Sequence, residues 1–224
     1  LVLVARRGER LGKLAEALSD KATVHTASLD VRDRAAVFGL LESLPADFRD
    51  VSVLINNAGL ALGLKGADAV DVDDWEVMVD TNIKGLMYMT RALLPGMVER
   101  GSGHIVNLGS VAASWPYPGG NVYGGTKAFV QQFSRNLRAD LLGKNIRVTN
   151  VEPGMCETEF SLVRFGGDEE KARKVYQGMK PLSASDVAEV IFWVTSLPAH
   201  INVNQLEVMP TQQAWAPFAV DRDG

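Results

Sequence analysis

Tyr123 and Lys127 stand four positions apart in a stretch of helical period, and Ser110 lies thirteen positions before the tyrosine, at the end of an apolar run. Residues four apart share one helix face, so this spacing brings an ammonium to a phenol. A nearby cation favours the phenolate and lowers the tyrosine pKa from about 10 towards the working range. Tyr123 is therefore a candidate general acid/base. Its Oη would give a proton to a carbonyl during reduction or take one from a hydroxyl during oxidation, while Ser110 Oγ holds the same oxygen. A lone Tyr-x-x-x-Lys is a weak pattern that an ordinary amphipathic helix also produces. Its company changes the weighting: Asn56-Asn57-Ala58-Gly59 follows one apolar run, Asn82 lies in a helical segment, and Pro153-Gly154 follows another apolar run.

Positioning these groups requires a scaffold in which the ends of several strands converge. Short Val/Ile/Leu-rich runs at residues 1–5, 23–28, 51–56, 104–109, 146–152 and 203–208 read as strands covered on both faces. Residues 9–19, 32–43, 72–100, 122–143 and 185–196 carry apolar residues at helical spacing, with Ser185 as an N-cap and Pro95 as the site of a kink or break. This alternation predicts an α/β fold: a Rossmann-type doubly wound parallel sheet with helices on both faces. Loops beyond the carboxyl ends of such strands meet in one ligand-binding crevice. No linker or repeat divides the chain, so residues 1–224 are expected to form one domain.

Composition removes several classes of function. A net charge of −4 without a basic face argues against nucleic acid as a partner. A single cysteine, Cys156, and three separated histidines provide neither an internal disulfide nor metal-ligand spacing, and a reducing cytoplasmic location is expected. The apolar opening is too short for a membrane span, so no membrane partner is expected.

Asn57-Ala58-Gly59, Asn82, Ser110, Tyr123, Lys127 and Pro153-Gly154 together resemble the motifs of the classical short-chain dehydrogenase/reductases over the whole chain. The resemblance implies a catalytic tetrad of Asn82, Ser110, Tyr123 and Lys127. Lys127 would also bind the nicotinamide ribose, and Asn82 would hold a water in a proton relay. The runs 57–63, 114–117 and 158–161 are similar to a branch of NADP-dependent 3-hydroxy acid dehydrogenases, which act on serine, allo-threonine or 3-hydroxyisobutyrate, or on malonic semialdehyde. Homotetrameric assembly is implied by the same resemblance, with segments 72–100 and 122–143 forming a dimer face.

Cofactor choice rests on Arg6-Arg7, which stand after the first strand where a carboxylate would bind the ribose diol of NAD. Guanidinium groups there favour a 2′-phosphate, so NADP is expected. By resemblance, Asp30 and Val31 border the adenine, Asn57 with Ala58 and Gly59 meets the adenosine ribose, and the segment from Pro153 and Gly154 through Thr158 passes the nicotinamide. Residues 153–167 read as a loop that closes over the site. Arg164, and Trp115 with Tyr117, are candidate substrate contacts beside Ser110 and Tyr123: a carboxylate wants a cation and a short carbon chain wants an apolar wall. Arg164 reads equally as an ordinary surface residue. Competing readings are a reductase of another ketone or aldehyde, a nucleotide-sugar dehydratase or epimerase, and a non-catalytic NADP-binding sensor. The first of these shares every motif. The second wants a larger substrate lobe, and the third usually loses tetrad residues.

No glycine-rich turn stands between a first strand and helix, although pyrophosphate binding in this fold needs one. By resemblance residues 1–5 form the second strand, and a preceding strand, glycine loop and helix are expected upstream. That missing strand would lie between residues 1–5 and 51–56 and hold them roughly 10 Å apart.

Overall fold

The computed structural model describes residues 1–215; residues 216–224, which belong to a stretch (210–224) without readable sequence period, lie outside the described residues. Along the chain come β1 (Val2–Ala5), α1 (Gly8–Ala17), β2 (His25–Ser28), α2 (Arg34–Ser43), β3 (Val53–Asn56), α3 (Val72–Val79), α4 (Leu86–Arg100) and β4 (Gly103–Leu108). They are followed by α5 (Asn121–Asp140), β5 (Ile146–Pro153), β6 (Cys156–Glu157), α6 (Glu159–Arg164), α7 (Glu169–Lys174), β7 (Leu182–Ser183), α8 (Ala184–Ser196) and β8 (Gln205–Val208). Every ladder is parallel. β3, β4, β5 and β8 form one sheet in that order, β1 pairs with β2, and β6 pairs with β7. Among the described residues β1 and β3 share no ladder.

Strand alternation explains why the sheet is covered on both faces. Leu54, Ile105 and Val148 point into the larger core, where they meet Met89, Leu93 and Met97 of α4 and Leu137 of α5. Val106, Leu108 and Val151 point the other way and are covered by Val187, Val190 and Ile191 of α8. The helices begin where side chains satisfy their free amides. Asp33 caps α2, Asp71 caps α3, and Ser183 with Asp186 forms a capping box on α8. The α8 cap is thus Ser183 and not Ser185. The outermost serine wins because Asp186 sits three positions later and returns a bond to its amide.

The long helical segment 72–100 is interrupted, but not at Pro95, which lies inside α4. The irregularity falls at Asp80–Gly85, a π-helical stretch that contains the buried Asn82. Such wide turns are frequent at functional sites. Among the described residues no helix is long and apolar enough to cross a membrane.

Candidate active site

A cleft of about 1270 Å³ opens at the carboxyl ends of the strands and gathers residues from many separate stretches of chain. β1 delivers Arg6 and Arg7, β2 delivers Asp30 and Val31, and β3 delivers Asn57, Ala58 and Gly59. β4 delivers Ser110, α5 delivers Tyr123 and Lys127, and β5 delivers Pro153 and Gly154, followed by Thr158 and Arg164 around α6. Each of these sequence-derived candidates lines the cleft.

Ser110 is fixed by its surroundings. Its Oγ accepts from the Ala112 amide at 3.1 Å, and the preceding Gly109 lies so close to β5 that an added Cβ would meet Glu152 Cγ at 2.9 Å. Tyr123 is 8% exposed, its ring centroid 5.6 Å from that of Phe160. Burial pushes its pKa up to about 12, against the opposing pulls of a Ser110 hydrogen bond and the Arg164 charge. The expectation that Lys127 would bring the phenol down is therefore not met. Lys127 lies 5.8 Å from the Tyr123 ring centroid, but its Nζ donates to the Leu108 carbonyl at 2.7 Å, and burial alone lowers its own pKa to about 8. Desolvation outweighs the mutual effect of the pair.

Asn82 is 2% exposed and its side-chain amide is used by the protein itself. Its Oδ1 accepts from Leu60 N at 2.9 Å, and its Nδ2 donates to Leu60 O at 2.8 Å and to Thr126 Oγ1 at 3.0 Å. The π-helical stretch thus staples the Asn57–Gly59 loop to α5. Gly59 is needed at that junction: a Cβ would sit 3.3 Å from Asn82 Oδ1 and 3.5 Å from Lys127 Nζ. Thr126 went unnoticed in the sequence, although it lies on the Tyr123 and Lys127 helix.

At the other end of the cleft Arg7 and Arg10 both grip Glu159, at 2.7 and 2.6 Å. Arg6 makes no ion pair with a carboxylate among the described residues. Asp30 is held below the usual carboxylate range chiefly by the Arg32 side chain, which donates to it at 2.7 Å. Arg10 and Glu159 carried no sequence signal beyond position, Arg10 one turn after Arg7 and Glu159 directly after a capping threonine.

The segment 153–167, expected to be a loop that closes over the site, contains the helical turn of α6. Thr158 Oγ1 accepts from Phe160 N and caps it, so that hydroxyl already serves the backbone. Arg164, at the far end of α6, donates from Nε to Gly63 O at 3.1 Å and from an Nη to Tyr117 Oη at 2.8 Å. Trp115 is placed differently from its expected role as pocket wall. It does not line the cleft; its indole donates to Glu207 and its ring lies 6.3 Å from Trp215. Tyr117 takes the wall position, because the turn at Gly119 and Gly120 folds its ring back over the backbone. Cys156 is half-buried and burial raises its thiol, so nothing activates it.

The residues present fit a phosphorylated dinucleotide: a deep cleft, an unspent guanidinium at one end, and glycines where a side chain would crowd the floor. A profile of the short chain dehydrogenase family matches residues 1–165. The chain is 60% identical over 224 residues to sulfoacetaldehyde reductase 2 of Chromohalobacter salexigens, covering 100% of this chain and 89% of that protein. It is 56% identical over 223 residues to the NADP-dependent 3-hydroxy acid dehydrogenase of Escherichia coli K12, covering 99% and 89%. The closed form of a serine dehydrogenase complexed with NADP+ superposes with a TM-score of 0.94 at 56% identity, over 99% of this chain and 89% of that one. The chain belongs to the short-chain dehydrogenase family.

Proposed function

We propose that this short-chain dehydrogenase uses NADP to interconvert a short 3-hydroxy acid, such as serine, allo-threonine or 3-hydroxyisobutyrate, and the matching carbonyl, such as malonic semialdehyde. The observation that carries the reading is Arg164, a guanidinium that lines the same cleft as Tyr123 with its Cζ 5.7 Å from the phenol ring. An anionic group seated there brings a carbonyl two or three bonds away to the Tyr123 Oη and Ser110 Oγ. Two relatives above 55% identity support the chemistry: one is named a 3-hydroxy acid dehydrogenase and one is a serine dehydrogenase.

Arg6 and Arg7 would hold the 2′-phosphate, with Arg7 giving up part of its hold on Glu159, and Asn57, Gly59 and Lys127 would line the ribose. When bound, NADP supplies or accepts the hydride. For reduction, a phenol held near 12 stays protonated through the physiological range and is ready to donate to the carbonyl oxygen. Ser110 Oγ donates to the same oxygen and keeps it within reach of the Tyr123 proton. Phe160, against the phenol, excludes water from that transfer. The enzyme would work as a homotetramer, a reading that the exposed Phe192 and Trp193 on α8 support by offering apolar surface for a second copy.

A second reading is reduction of sulfoacetaldehyde. A guanidinium fork accepts a sulfonate as well as a carboxylate, and the 60% relative carries that name. A panel of serine, 3-hydroxyisobutyrate, malonic semialdehyde and sulfoacetaldehyde, with NADP(H) and NAD(H) in turn, followed at the nicotinamide absorbance, separates the two. Turnover of neutral ketones alone would defeat both. Tyr123→Phe is expected to abolish turnover while NADP still binds, since the phenol moves a proton and does not hold the nucleotide. Near-normal turnover would remove Tyr123 from the mechanism.

A further inference from the structure

We propose that Arg164 does more than receive an anionic substrate: it is the positioning cation that α6 brings to the Tyr123 phenol, so that docking of this helix readies the acid/base. The inference rests on the reading of Tyr123 as the proton-transfer group. Reversible use of the phenol demands that it also act as a base, yet the buried ring resists ionisation. A cation close to the ring in a water-poor site is the direct remedy.

Two cations face the ring from different elements. Lys127 comes from α5, 5.8 Å from the centroid, with its ammonium donating to the Leu108 carbonyl. Arg164 comes from α6, its Cζ 5.7 Å from the Tyr123 centroid and 5.4 Å from that of Tyr117. The other groups near the phenol are neutral: the Ser110 hydroxyl lowers its pKa, while Tyr117 and Tyr176 raise it. The guanidinium is fixed by its two donated bonds, to Gly63 O and Tyr117 Oη, and Gly63 N returns a bond to Arg164 O at 2.9 Å. Gly63 has a φ of 61°, a left-handed conformation suited to glycine, and it turns both backbone groups towards α6. No carboxylate among the described residues pairs with Arg164, so its charge is free to act on the ring.

The test separates tuning from anchoring by using a neutral substrate, the methyl ester of 3-hydroxyisobutyrate, whose oxidation by the NADP-loaded enzyme makes no demand on an anion receptor. The same variants, without substrate, are titrated by NMR with 13Cζ-tyrosine, the Tyr123 signal being assigned from Tyr123→Phe. Arg164→Gln, or Arg164→Met should the first fold poorly, is expected to move the acid limb of kcat/KM and the Tyr123 titration upward by about 1 pH unit, roughly tenfold in rate below the limb. Arg164→Lys keeps the charge and should restore most of that shift. An unmoved Tyr123 titration in the neutral variants, at parental thermal stability, overturns the inference. Turnover surviving in Tyr123→Phe would defeat the underlying reading of the phenol and not the placement of Arg164.

Discussion

Lys127 gives the sharpest quantitative prediction, because its burial sets function against stability. The side chain is 7% exposed, with no carboxylate partner among the described residues and one hydrogen bond, to Leu108 O. Its pKa falls from 10.5 to about 8, so the unfolded chain binds more protons than the folded one between those values. Stability therefore rises with pH across that window, and below about pH 8 the fold carries the whole cost of the buried ammonium, about 3 kcal/mol. Lys127→Met removes the charge, keeps the volume and loses one hydrogen bond worth about 1 kcal/mol. The net expectation at pH 7, without NADP, is a gain of about 2 kcal/mol, or roughly 4–8 °C in Tm for a chain of this size. At pH 10 the gain should shrink, since the parent lysine is then largely neutral in the folded state. Turnover and NADP affinity should both collapse if, as proposed, the same ammonium serves the ribose and the phenol. Calorimetry of parent and variant at the two pH values, paired with NADP titration, measures all of this. A variant less stable than the parent at pH 7, or a difference that ignores pH, would refute the argument that desolvation dominates at this site.

Replacing Arg6 and Arg7 together with serine should weaken NADP at least tenfold more than NAD, since charge-assisted bonds to a phosphate contribute roughly 1.5–3 kcal/mol each; equal losses in a binding titration would contradict 2′-phosphate recognition. Asn82→Ala removes three buried hydrogen bonds and strands the Leu60 amide and carbonyl, so urea denaturation should show a loss of about 2–4 kcal/mol, with weaker NADP binding through the loosened 57–59 loop. A loss below about 1 kcal/mol would mean that the loop is held by other contacts.

How far the sequence could be read depended on whether a feature was local. The strands at 51–56, 104–109 and 146–152 were legible because buried parallel strands leave continuous apolar runs, and all three pair in the expected sheet. The chemistry-bearing residues were legible for a related reason: each stands just past such a run or on the helix that returns from it, so finding the runs places the residues in one crevice. What escaped was set by tertiary contact. Pro95 carries a strong local signal for a break, but α4 runs through it, while the π-helical stretch around Asn82 exists to aim one amide at Leu60 and carries no signal of its own. Trp115 and Tyr117 are alike in type and only two positions apart in sequence. Only the distant Glu207, ninety-two residues on, draws the indole away and leaves the wall to the tyrosine. The sign of the Tyr123 shift escaped for the same reason. Helical spacing correctly puts an ammonium beside a phenol, but burial decides which way the pair titrates, and burial belongs to the assembled core. A motif thus states which groups meet, and the surrounding packing determines their strength; in this cleft that packing includes α6, a turn of helix whose register could not be read from residues 153–167 alone.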